Sequence, residues 1–243
     1  FFIEDTDNKE YFINFEGVGT YADIEVNGHN LGTYDIGRTC ECIDITKFVH
    51  LNDTNTIILN ISHPEGITDM PWVCGGCSSE WGFSEGSQPF GIFRPVTLEV
   101  TDKVRIEPFG VHVWSNSDCD SLFVETEIKN YDSKEIISSL VTKLSDATGR
   151  QVIRLTDEFS LLPGETKIIR QQTSLSDIKT PLHLWSVAEP YLYKVNSIIK
   201  RNGKATDSQD TPFGFRTVSW PKSSIRQASE DKRFLLNNKP VFL

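Results

Sequence analysis

Helical periodicity is almost missing from this sequence. Apolar residues do not recur at three- and four-residue spacing over any long window, which sets aside a helix bundle and an alternating α/β fold. No apolar run approaches the roughly 18 residues that a membrane-spanning helix needs. Basic residues are short: 24 Lys and Arg stand against 34 Asp and Glu, for a formal charge of -10. No Lys/Arg cluster marks a nucleic-acid-binding face, so neither nucleic acid nor membrane is expected as a partner. Acidity favours solubility and neutral partners without naming one. The chain opens on Phe1-Phe2-Ile3 rather than methionine, with no signal-peptide pattern. That apolar start is expected to be a strand of something longer, with any targeting segment upstream.

Cysteine is also too sparse for a disulfide scaffold, at five residues. Cys40 and Cys42 are two apart, so on a strand they share a face and are poorly placed to bond each other. Cys74-Gly75-Gly76-Cys77 has the C-x-x-C spacing, but no second pair or histidine set completes a zinc site. A metal, a loop disulfide and free thiols all stand open for the 74/77 pair, and Cys119 is remote. No metal or cofactor is expected.

What is present is short, Val/Ile/Phe/Thr/Tyr-rich alternation broken by turn residues, the mark of an all-β chain. Residues 11–15 alternate, as do 22–26, which run into Asn27-Gly28. That dipeptide suits a type I′ hairpin turn and is read as turn chemistry alone. Further strands are expected at 31–34, 56–61 and 96–100. Between the last two lies a Gly-, Ser- and Pro-rich segment from His63 to Pro89. Loops of that length tend to be functional or disordered. This one carries Trp72, Trp81 and Phe83, with Phe90 at its edge.

A second region begins near Lys103. A linking strand is expected at 104–108, then strands at 122–128, 137–144, 152–155, 166–169 and 193–200, with Trp114 at a strand start. Turns are expected at Gly149, Leu162-Pro163-Gly164-Glu165 and Asn202-Gly203. About seven short strands at regular spacing fit an immunoglobulin-like sandwich without its inter-sheet cysteines. From Val218 the chain turns polar. Phe234-Leu235-Leu236 and Pro240-Val241-Phe242-Leu243 around Asn237-Asn238-Lys239 then read as a hairpin whose apolar edge is expected to be covered by further chain.

Taken in order, several patches resemble the N-terminal half of glycoside hydrolase family two, which includes β-galactosidases, β-glucuronidases and β-mannosidases. Phe15-Glu16-Gly17-Val18, Ala22, Val26-Asn27-Gly28, Leu31-Gly32 and Asp44-Ile45-Thr46 resemble strands of its sugar-binding jelly roll. Gly91-Ile92-Phe93-Arg94-Pro95-Val96 resembles the motif closing that domain. Leu184-Trp185-Ser186, Pro190-Tyr191-Leu192-Tyr193 and Phe213-Gly214-Phe215-Arg216 resemble the end and exit strand of its immunoglobulin-like domain. Residues 234–241 resemble the hairpin that introduces its TIM barrel. The segment 63–89 matches no motif of the family.

The resemblance implies an all-β chain: a partial, N-terminally incomplete, galactose-binding-like jelly-roll sandwich (1–102), an immunoglobulin-like β-sandwich (103–217), and a linker with the first hairpin of a missing TIM barrel (218–243). It implies a parent enzyme that hydrolyses O-glycosidic bonds as a retaining, exo-acting glycosidase in carbohydrate catabolism. Retention needs two carboxyl groups about 5–5.5 Å apart, and in this family both lie on the barrel. No residue here is therefore expected to be catalytic, Glu80 and Glu85 included. The implied partners are the barrel and, through it, a carbohydrate, with a homo-oligomer open. An exported location, periplasmic or extracellular, is expected. The substrate-contact candidates are Trp72, Trp81, Phe83 and Phe90, weighed against packing of the loop and against an inter-domain or subunit contact. Arg94 is expected to be held by a buried acceptor, and Trp185 and Tyr191 to pack the second core. A stand-alone carbohydrate-binding module and a structural β-sandwich with no enzymatic parent are the alternatives.

Overall fold

A computed structural model describes residues 1–4, 8–19, 21–37, 39–62, 90–176, 178, 181–220 and 234–241. All regular structure among them is strand, and the chain divides into two compact units, Phe1–Asp102 and Lys103–Leu243.

Among its described residues the first unit contains ten strands: β1 (Phe2–Ile3), β2 (Lys9–Phe15), β3 (Val18–Gly19), β4 (Tyr21–Val26), β5 (His29–Asp35), β6 (Glu41–Asp44), β7 (Asp53–Thr54), β8 (Ile57–Ser62), β9 (Gly91–Ile92) and β10 (Val96–Asp102). Two three-stranded antiparallel sheets, β10-β2-β6 and β5-β4-β8, supply most of the core. Alternation decides which side chains meet: Tyr11, Ile13 and Phe15 point inward from β2, and Ala22, Ile24 and Val26 from β4. The β4–β5 hairpin turns on Asn27 (φ 49°) and Gly28 (φ 81°), the positive pair of a type I′ turn.

Asn27 does more than turn the chain, which corrects the sequence reading. Its Nδ2 donates to the Phe48 carbonyl and to Asn55 Oδ1, each at 2.7 Å, and its Oδ1 accepts from the Thr56 amide at 2.8 Å. Asn55 is buried and bonds both backbone groups of His50. Two side-chain amides thus hold the turn at 48–50 to the β4–β5 hairpin and to the strand that follows.

The second unit is a sandwich of seven strands: β11 (Val104–Ser115), β12 (Ser121–Asn130), β13 (Ile136–Ser145), β14 (Gln151–Leu161), β15 (Thr166–Ser174), β16 (Tyr193–Arg201) and β17 (Lys204–Phe213). One sheet runs β11-β12-β15 and the other β14-β13-β16-β17. This three-plus-four antiparallel arrangement is an immunoglobulin-like architecture. Leu122, Val124 and Ile128 from β12 meet Leu140, Leu144, Val195 and Ile199 across the interior. Inside that apolar layer Thr142 Oγ1 donates to Gln171 Oε1 at 2.5 Å, tying the two sheets. Gln171 Nε2 donates to Asp157 Oδ2 at 2.6 Å, so the buried amide is satisfied.

The strands are longer than the sequence pattern suggested. The edge strands β14 and β17 carry polar side chains on exposed or half-buried positions, so apolar alternation fades there. Strand β14 extends well past residues 152–155, and β17 went unread. Trp114 lies near the end of β11, not at a strand start. The segment 214–217 is irregular, so the expected exit strand at 213–216 ends with β17 at Phe213.

Beyond β17, β18 (Val218–Ser219), β19 (Phe234–Leu236) and β20 (Lys239–Val241) form a small sheet in the order β18-β19-β20. The β19–β20 hairpin turns on Asn237 (φ 50°) and Asn238 (φ 60°). Asn237 Nδ2 donates to the Trp185 carbonyl at 2.9 Å and Oδ1 accepts from the Thr217 amide at 2.9 Å, anchoring the hairpin to its own unit.

Candidate functional site

Of the four substrate-contact candidates, Trp72, Trp81 and Phe83 lie outside the described residues, as do Cys74, Cys77, Glu80 and Glu85. Phe90 is described and is 68% exposed. It enters β9, whose Gly91 (φ 87°) pairs with Gly19 while Ile92 pairs with Val18. Phe93 then folds over Gly17: a Cβ there would lie 2.8 Å from the Phe93 ring, so only glycine admits the aromatic edge.

This corner continues into an apolar row. Val96, Leu98 and Val100 of β10 are exposed, although they face Phe15, Ile13 and Tyr11 of β2, which are buried. Phe90, Ile92, Phe93 and this row form an apolar surface on the first unit. Such a surface suits the flat face of a sugar ring and equally suits the underside of a loop. Arg94 departs from expectation. Its side chain is exposed, with no buried acceptor for the guanidinium among the described residues, and its backbone amide donates to the Gly17 carbonyl at 3.4 Å.

The second unit offers an open groove of about 530 Å³ lined by Asp146, Thr148, Leu192, Tyr193, Lys194 and Asp210. Its polar groups already serve one another. Asp146 Oδ1 accepts from the Thr148 hydroxyl at 2.6 Å and from the amides of Thr148 and Arg150, each at 3.0 Å. Lys194 Nζ sits 3.0 Å from Asp210 Oδ2. The Thr148 hydroxyl, ahead of the backbone bonds, holds the Asp146 carboxyl below its ordinary value of 3.8. Hydrogen bonds from Ser121 and then Asn116 do the same for Asp120. A general acid needs the opposite shift. Burial pushes the Tyr193 phenol up, outweighing the bond it accepts from the His183 amide at 2.9 Å. Among the described residues no group of three His, Cys, Asp or Glu could hold a metal ion.

Tyr191 packs beside the second core, stacked on His183 at 4.2 Å and edge-on to Tyr193 at 5.1 Å. Trp185 is half-buried against Gly214, with the Arg216 guanidinium 5.0 Å from its ring. Two features were not anticipated from the sequence. On the outer face of β11-β12, the Trp114 ring lies near-parallel to those of His112 (4.7 Å) and Phe123 (5.4 Å). Within β11, Phe109 is 80% exposed with φ 58°, on a bulge where the register jumps from Ile106 to Val111. Pro108 and Gly110 flanking it were the available signal.

The chain is thus built from two all-β units, the second an immunoglobulin-like sandwich. Residues 104–216 match the family model described as Glycosyl hydrolases family 2. Likeness to longer glycosidases, one of them a solved protein of glycoside hydrolase family 2, extends over nearly the whole chain. A β-glucuronidase of Formosa agariphila is 28% identical over 91% of this chain and 23% of its own length. A β-galactosidase of Bacteroides ovatus is 26% identical over 87% of this chain and 23% of its own. A solved β-glucuronidase of glycoside hydrolase family 2 superposes with a TM-score of 0.80 at 26% identity, covering 97% of this chain and 24% of that one. The chain spans about a quarter of the length of these relatives.

Proposed function

We propose that this chain supplies the non-catalytic β-domains of a larger retaining glycosidase that removes a terminal β-linked sugar. The carrying observation is the asymmetry of the matches. Relatives named as glycosidases cover 87–91% of this chain, while it covers 23% of them. In this reading the first unit is the jelly-roll domain and the second the immunoglobulin-like domain. The small sheet of β18-β19-β20 leads into a catalytic barrel that carries the two carboxyl groups.

The relatives' names differ in the sugar, so the proposal stops at the β-linked terminal unit. The apolar surface from Phe90 to Val100, with Trp72, Trp81 and Phe83 of the preceding segment, is proposed to frame the substrate site. Export from the cytoplasm is part of the proposal, since polysaccharide substrates of such enzymes lie outside the cell.

The test compares the product of the complete gene with this chain alone on a panel of aryl β-glycosides. The complete product is expected to cleave one or more with retention of configuration, and this chain none. Absence of activity in the complete product would sink the reading, as would hydrolysis by this chain alone. Sugar binding by this chain alone in the millimolar range or tighter would instead favour a binding module. In the complete enzyme, Trp72→Ala and Trp81→Ala are expected to raise KM more than they lower kcat.

A further inference from the structure

The sequence contains two Asn-Gly steps, Asn27-Gly28 and Asn202-Gly203. Both are two-residue hairpin loops with nearly the same backbone: φ 49° and 81° in the first, φ 51° and 78° in the second. Backbone geometry therefore does not distinguish them. Side-chain surroundings do. The Asn27 amide is clamped by the Phe48 carbonyl, Asn55 Oδ1 and the Thr56 amide. Asn202 is exposed at the tip of the β16–β17 hairpin, and no side-chain hydrogen bond holds its amide among the described residues. It is also bracketed by cations, since Arg201 and Lys204 pair across the turn. Positive charges on both sides favour an anionic backbone nitrogen at Gly203. Glycine there leaves that nitrogen open to approach, because it has no Cβ.

We infer that Asn202 is a site of spontaneous covalent modification and that the fold protects Asn27 from the same reaction. The Gly203 backbone nitrogen, having lost its proton to solvent base, attacks Cγ of Asn202. A nitrogen–carbon bond forms, the Cγ–Nδ2 bond breaks, and the nitrogen leaves as ammonia once protonated. Water then opens the cyclic imide at either carbonyl, giving aspartate or isoaspartate. Each event adds one negative charge to a chain already at -10. The isoaspartate product also adds a backbone methylene to a loop whose two residues fix the hairpin register.

The test incubates the folded 243-residue chain at mildly alkaline pH and follows both steps by peptide mapping that resolves isoaspartate. A parallel sample is kept in concentrated urea. In the folded chain Asn202 is expected to convert at least about tenfold faster than Asn27. Tenfold corresponds to about 1.4 kcal/mol, near the net worth of one of the hydrogen bonds that hold Asn27. In urea the two steps are expected to convert at comparable rates. Equal conversion in the folded chain overturns the inference, and so does no conversion at Asn202. A preference that persists unchanged in urea also overturns it, by assigning the difference to sequence.

Discussion

Asn130 is the residue whose loss should cost the second unit most for its size. It ends β12 with no exposed surface, and its side chain joins two loops. Nδ2 donates to the carbonyls of Lys134 at 2.9 Å, Leu161 at 3.2 Å and Leu162 at 3.1 Å, and Oδ1 accepts from the Asp132 amide at 2.9 Å. Asn130→Ala removes all of these and leaves carbonyls facing an apolar methyl. Three to four bonds at about 1 kcal/mol net each, with part of the desolvation cost of the orphaned groups, give a loss of about 3–5 kcal/mol. At a few degrees per kcal/mol for a unit of this size, the melting temperature falls by roughly 10–15 °C. Calorimetry separates the transitions of the two units, and urea unfolding gives the free energy. Asn130→Asp keeps the shape but turns the donor into an acceptor opposite three carbonyl oxygens. It is expected to lose at least as much at neutral pH. A loss under about 1 kcal/mol for the alanine variant would falsify the reasoning, since it would mean that water replaces the amide freely.

Three further outcomes are expected. Gly110→Ala places a Cβ 2.7 Å from the Glu107 carbonyl oxygen and 3.0 Å from that of Glu127, both backbone atoms with little room to yield. It should cost about 1–3 kcal/mol in a urea titration. Phe109→Asn should instead stabilise the second unit by about 1 kcal/mol. Asparagine tolerates the left-handed backbone at φ 58°, and an 80% exposed phenyl ring gives up little packing. If its melting temperature does not rise, the bulge is relaxed as it stands. Asp146 has a folded pKa below its ordinary 3.8, so its contribution is fully present above that value and is lost as pH falls through the lower, folded one. The gap in melting temperature between the protein and Asp146→Ala should therefore be constant from neutral pH to about pH 5 and close as the medium is acidified further. A gap that does not narrow would show that the bonds from Thr148 and Arg150 to this carboxylate do not stabilise the fold.

Class and architecture were legible because they rest on period-two alternation, a property of adjacent residues. Residues 122–128 of β12 read correctly, since one face is buried and the other is not. The edge strands β14 and β17 read poorly, because an edge exposes most of its positions and selects polar side chains on both faces. The apolar corner was half legible. Phe90 stood out at the rim of an aromatic loop. The row of Val96, Leu98 and Val100 alternates like any strand, and only the structure shows that it is exposed although its partners Phe15, Ile13 and Tyr11 are buried.

Sequence alone determined that this is an all-β chain in two parts with a hairpin at Asn27-Gly28 and a turn at Asn202-Gly203, since turn chemistry is local and needs no distant partner. Tertiary structure alone decided that the first of those asparagines is clamped and that the second has no side-chain partner among the described residues. The residues that clamp Asn27 are Phe48, Asn55 and Thr56, which are 21 to 29 positions away and meet it only when β4 pairs with β8. Hydrogen bonding and burial at that range depend on register across strands, which no local pattern carries.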